Sequence, residues 1–135
     1  MAYRIDEIEG IGPVFRAKLE AAGVGNTDVL LEKAASKKGR KELAETTGID
    51  EKRILSWVNL ADLMRVKGIG KQFAELLHAA GVDTIKELRT RNATNLAAAV
   101  ATANEGNKLA KSTPSESQIT GFIEAAREME PAVTH

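Results

Sequence analysis

At 135 residues the chain can bury about two-thirds of its unfolded surface, so a core needs no covalent staples. It has no cysteine, which excludes disulfides and thiolate metal sites and fits a reducing compartment. Its 19 basic and 19 acidic residues cancel, which argues against a generic polyanion-binding surface and leaves only local charge to act.

The opening M-A-Y-R-I-D-E holds no apolar signal core, and the longest apolar run, Leu96 to Ala101, is far short of a bilayer span. A soluble, cytoplasmic protein with no membrane contact is expected. The stretch I-E-G-I-G-P follows, Ile8 to Pro13. Its glycines permit a tight turn between two helices and allow another backbone to come close. Pro13 suits the first position of the second helix, where its missing N–H has no partner to lose. Phe15, Leu19 and Ala22 then fall on one helical face, and Gly23 with Val24 reads as a left-handed stop.

Farther on, S-K-K-G-R-K, Ser36 to Lys41, reads as a basic loop or helix start. Thr47-Gly48-Ile49-Asp50 resembles a weaker version of the same turn, and Asp50 can cap a helix carrying Ile54, Trp57, Val58 and Ala61. V-K-G-I-G-K, Val66 to Lys71, repeats the first turn, and Phe73, Leu77 and Ala80 repeat its helix up to Gly81. Thr84 with Glu87, and Ser115 with Gln118, have capping-box spacing. The run from Glu130 to His135 is expected to fray. Almost nothing alternates with period two, so the chain is expected to be all-α.

Laying Ile8 on Val66 without a gap pairs Gly10, Ile11, Gly12, Phe15, Leu19 and Gly23 with Gly68, Ile69, Gly70, Phe73, Leu77 and Gly81. A second register then pairs Glu51, Ile54, Trp57 and Val58 with Glu116, Ile119, Phe122 and Ile123, which requires an insertion between Asn92 and Lys111. Two related halves follow, residues 1–61 and 62–135, packed as one structural unit. The charge balance modulates along them. Residues 1–30 have three basic against five acidic groups, 31–61 seven against five, 62–91 six against four, and 92–135 three against five. The middle is mildly basic and the ends mildly acidic.

Both G-I-G stretches resemble the helix-hairpin-helix motif of DNA-repair and recombination proteins. The segments I-E-G-I-G-P-V-F, G-R-K-E-L-A-E-T-T-G-I, A-D-L-M-R-V-K-G-I-G and T-P-S-E-S-Q also resemble an uncharacterised bacterial family, a domain of unknown function built on two such repeats. This likeness spans residues 4–128. It implies two tandem helix-hairpin-helix repeats packed into one compact helical domain of the SAM-like type. For function it implies non-catalytic, sequence-independent binding of DNA or structured nucleic acid, weak and salt-dependent, through backbone phosphates.

The phosphate-gripping positions of that motif correspond to Gly10, Ile11 and Gly12, with Arg16 beyond, and to Gly68, Ile69 and Gly70, with Lys71 beyond. Pro13 removes one donor from the first turn. The second keeps Lys71 and adds Arg65 and Lys67, so phosphate is expected there first. Lys37, Lys38, Arg40 and Lys41 could extend the track. The alternative is a protein-protein interaction or scaffold module whose hairpins are purely structural. An acid set against the lysines of the second turn would tell for that alternative.

The aromatic stripe of Phe15, Trp57, Phe73 and Phe122 has core spacing. His78 reads as a surface or boundary residue. No nucleophile elbow, phosphate loop or paired carboxylates occur, so no catalytic residue, metal or cofactor is expected, nor an enzyme.

Overall fold

Helices end where the sequence can no longer continue them. In the computed structural model, which describes residues 2–107 and 111–135, the first element is a 3-10 turn, Ile5–Glu7. Eight α-helices follow: α1 Pro13–Ala21, α2 Thr27–Ala34, α3 Lys37–Thr47, α4 Glu51–Leu63, α5 Lys71–Ala79, α6 Ile85–Leu88, α7 Ala93–Asn107 and α8 Glu116–Arg127. Among the described residues the only bridge of β type is an isolated one between Arg4 and Asn26. The chain is all-helical and compact.

Both helices that follow a G-I-G stretch stop in the same way. Gly23 and Gly81 take φ of 83° and 93°, and the N–H groups of Val24 and Val82 each reach back 2.8 Å to the carbonyls of Leu19 and Leu77. Those left-handed residues cap the last carbonyls and drive Val24 and Val82 into the core. At the other end of α3, Gly48 turns the chain at φ 74°, and the buried Ile49 anchors it before Asp50 caps α4.

The core is continuous from Ile5 to Val133. Within it α2, α3 and α4 pack together, as do α5 with α7, and α8 with α6 and α7. α4 runs through residues 61 and 62 and also packs on α5, so the expected boundary between halves lies inside one helix. Two aromatic pairs recur at the registers read from sequence. Phe15 meets Trp57 edge-on at 5.2 Å, and Phe73 meets Phe122 at 6.2 Å. At 15 residues α7 is longer than α3, which has 11; residues 108–110, which belong to the expected insertion, lie outside the described residues.

The segment after α8 does not fray. Val133 is buried, and the Thr134 N–H donates to the Ala35 carbonyl at 2.9 Å. A long-range partner overrides the local expectation of a loose end. No helix among the described residues is long and apolar enough to cross a membrane.

Candidate nucleic-acid interface

The two glycine turns share a backbone pattern. In the first, the Ile8 N–H bonds to Ile5 O at 3.3 Å and the Ile11 N–H to Ile8 O at 3.2 Å. In the second, the Val66 N–H bonds to Leu63 O at 3.1 Å and the Ile69 N–H to Val66 O at 3.0 Å. The middle isoleucines, Ile11 and Ile69, are buried and pin each turn to the core. Their N–H groups are therefore engaged inside the chain, and of the motif's donors they are not free for an anion.

The two glycines of each turn do different things. Gly10 and Gly68 have φ of 96° and 95°, where a side chain is strained, and they lie over aromatic rings. A β-carbon would stand 3.2 Å from Trp57 Nε1 at Gly10 and 3.0 Å from Phe122 Cε1 at Gly68. Gly12 and Gly70 are extended, at φ of −91° and −98°, and a β-carbon there would meet nothing within 4 Å. Packing thus accounts for the first glycine of each pair and not for the second.

Those second glycines are the N-caps of α1 and α5, and neither helix has a side-chain cap. The other six start with a side chain accepting an N–H, from Asn26, Ser36, Asp50, Thr84, Asn92 and Ser115. Ser115 and Gln118 complete the reciprocal box expected of them, whereas Thr84 supplies its half, accepting from the Glu87 N–H at 3.3 Å. At α5 the N–H groups of Lys71, Gln72 and Phe73 have no acceptor among the described residues, because the first ladder bond comes from Ala74 to Gly70 O. They face a hollow of about 410 Å³ lined by Gly70, Lys71, Gln72, Phe73 and Glu7. At α1 the hollow is about 390 Å³ and is lined by Gly12, Pro13, Arg16, Asp6 and Glu20, among others.

Charge separates the two. Arg16 is held by Glu20 at 2.6 Å and Asp6 at 3.3 Å, the Glu20 hydrogen bond raising its pKa most. Asp6 is in turn lowered, chiefly by the hydrogen bond from Arg4. Lys71 Nζ lies 3.6 Å from the Glu9 carboxylate, with both side chains nearly half exposed. Glu75 is half-buried, and burial first, then Glu9, raises its pKa. Lys67 is exposed and makes no ion pair among the described residues.

Two arginines leave the expected track. Arg65 donates to Asp62 Oδ1 at 2.8 Å and to the Glu130 carbonyl at 3.0 Å. Asp62 is 1% exposed and also accepts the Ile85 N–H at 2.9 Å, so this pair ties α4 to the start of α6. Arg40, 3% exposed, donates to the carbonyls of Ala34, Ala35 and Thr134; burial lowers its pKa. Placing Arg40 on the surface is corrected on that count: in a short basic run, local composition does not reveal a long-range carbonyl partner. Lys37, Lys38 and Lys41 are exposed in the first five residues of α3, without ion pairs among the described residues. His78 is exposed as expected and pairs with Asp83 at 2.7 Å.

No curated protein and no solved structure matches the chain. Residues 9–129 match the family model described as Domain of unknown function (DUF4332). The match takes in both glycine turns and all eight helices, and the chain belongs to this family.

Proposed function

We propose that this chain is a tandem helix-hairpin-helix module that binds nucleic acid without catalysis, gripping backbone phosphate at the start of α5. One observation carries the reading. In a protein that caps six of its helices with side chains, the two helices after G-I-G start open, behind glycines that packing does not require. A side-chain cap would fill the position an anion needs, and a β-carbon at Gly70 would stand where a phosphate approaches. The same local concession made twice supports reading a site there rather than an accident of folding.

The roles follow from the geometry. N–H groups of Lys71, Gln72 and Phe73 take the phosphate oxygens, while Lys71 and Lys67 supply charge. The first turn contributes less, because Pro13 lacks a donor and Arg16 is already neutralised by two carboxylates. With so few cations, affinity falls in the range of non-specific binding, roughly 10⁻⁴ to 10⁻⁶ M, and drops steeply with salt.

A second reading, a protein-interaction or scaffold module with structural hairpins, is favoured by the Glu9 carboxylate beside Lys71 and by the Asp62 pair that withdraws Arg65. Binding of a labelled DNA duplex across a salt series separates the two. Salt-sensitive binding lost in Lys67→Glu plus Lys71→Glu supports the first. No binding at low salt, or a double variant that binds as well as the parent, overturns it in favour of the second.

A further inference from the structure

The hollow where α3 and α4 begin is unused by that reading. It measures about 260 Å³ and is lined by Lys37, Arg40, Glu51, Lys52, Leu55 and His135. Lys37 is the first residue of α3, and Glu51 and Lys52 are the first two of α4. The positive ends of two helices, 11 and 13 residues long, therefore open beside it. Residues 129–135, docked as a strap by Val133 and Thr134, close one wall with His135. Asn59 holds the His135 ring there, Oδ1 to Nε2 at 3.2 Å.

Arg40 separates this hollow from an ordinary helix start. It is 3% exposed, and its hydrogen bonds all go to neutral carbonyls. Nη1 donates to Ala34 and Ala35 at 3.1 and 2.8 Å, and Nη2 to Thr134 at 2.7 Å. Nε has no partner among the described residues, and none of their sealed side-chain nitrogens or oxygens lacks one. That N–H therefore reaches solvent, and the hollow is the surface that Arg40 lines. Burial lowers the Arg40 pKa, and Glu51, the acid in the lining, opposes this only in part. A buried cation whose partners are all neutral is costly until an anion joins it.

Charge and shape choose the ligand. Before His135 is counted, Lys37, Arg40 and Lys52 against Glu51 leave two positive charges, the complement of a phosphate monoester near neutral pH. A carboxylate favours the planar fork of paired guanidinium N–H groups, and Arg40 has given most of that fork to carbonyls. Phosphate oxygens radiate from one centre and can take a single Nε–H, two ammonium groups and the open N–H groups of helix starts. At about 260 Å³ the hollow lies below the roughly 300 Å³ at which pockets for drug-sized molecules begin, so it admits a phosphate group and few carbons. Leu55 and the lysine stems give those carbons an apolar side.

We propose that this hollow is a binding site for a phosphate monoester, with Arg40 as its buried anchor and Lys37 and Lys52 as its exposed clamp. The group comes either from a small phosphorylated molecule or from the terminal phosphate of a nucleic-acid strand. No residue of the glycine turns takes part.

The test titrates the full chain with inorganic phosphate and with glycerol phosphate at constant ionic strength, following amide and arginine Nε–H NMR signals. Saturable shifts are expected at Lys37, Lys52 and the Arg40 Nε–H, with half-saturation at roughly millimolar ligand. Lys37→Gln plus Lys52→Gln, both at exposed residues, should keep the fold and weaken binding about tenfold. Glu51→Gln removes the opposing charge and should tighten binding severalfold, a sign that a merely structural hollow would not give. An oligonucleotide with a terminal phosphate, compared with its hydroxyl-ended twin, tells the sources apart. A strand source requires the phosphorylated one alone to move these signals, at lower concentration than glycerol phosphate; a small-molecule source gives the reverse order. No shift at tens of millimolar phosphate, or equal affinity in parent and double-lysine variant, overturns the site. Shifts confined to Lys71, Gln72 and Phe73 overturn it as well, and leave the phosphate grip at α5 standing.

Discussion

Glu9, directly before the first turn's glycine, and Lys71, directly after the second's, meet at 3.6 Å and bring both turns to one edge of the molecule. An exposed pair of this kind is worth about 0–1 kcal/mol, so it positions more than it stabilises. It also competes with any phosphate for Lys71. Glu9→Gln should therefore tighten duplex binding severalfold at low salt while changing stability by no more than about 0.5 kcal/mol. Titrations with parent and variant at two salt concentrations check this. Unchanged affinity would mean Lys71 does not face the ligand.

The unequal glycines give a second test. Gly68→Ala forces a side chain into φ 95° and onto Phe122, and should cost about 1–3 kcal/mol in urea unfolding. Gly70→Asp enters open space with ordinary φ and adds a cap with a favourable charge, gaining about 0.5 kcal/mol. The same carboxylate occupies the anion position and should abolish duplex binding. A stabilised variant that still binds duplex would separate the cap from the ligand site and defeat the phosphate assignment.

Much of this architecture could be read from the chain because its determinants are local. Glycines at positive φ, caps at Asp50 and Ser115, and buried positions at helical spacing depend on neighbours a few residues away. The 65-residue register even pairs Trp57 with Phe122, and these are the two rings against which Gly10 and Gly68 pack. The ion pairs were not legible in this way. Arg40, Arg65 and Lys71 look alike in sequence, yet one is buried on carbonyls, one is tied to a buried aspartate and one is shared with Glu9. Such pairings depend on which distant segments meet, and hydrophobic spacing carries no record of that. The docked strap escaped for the same reason, since a single valine has no period.

Gly39 supplies a third prediction, with the sign set by geometry. On propensity alone Gly39→Ala should stabilise α3 by up to about 1 kcal/mol. A β-carbon there would lie 2.0 Å from the Lys33 backbone oxygen, and backbone cannot move aside as a flexible side chain can. The substitution should instead destabilise by about 3 kcal/mol, pushing α2 and α3 apart where Ser36 and Arg40 also act. Urea unfolding of the two proteins decides it. A neutral or stabilising outcome would mean the α2–α3 corner is looser than these contacts require.

Glu75 gives the pH prediction. Its carboxyl is raised above the ordinary glutamate range by burial first and by Glu9 second, against the lowering effects of Lys71 and His78. The folded protein therefore holds this proton at pH values where the unfolded chain has released it. Its contribution is fully present below the ordinary range and is lost as pH rises through the raised value. Glu75→Gln, uncharged throughout, should be more stable than the parent near neutral pH, with the advantage shrinking toward about pH 4. Asp6 runs the other way: Arg4 lowers its carboxyl, so its contribution is present at neutral pH and fades on acidification. Denaturant midpoints for parent and Glu75→Gln at both pH values isolate the Glu75 part, because Asp6 is common to the two. Adding Glu9→Gln removes the second cause and should narrow the gap further. An advantage equal at both pH values would show that it comes from packing rather than from a strained charge at the edge where the two turns meet.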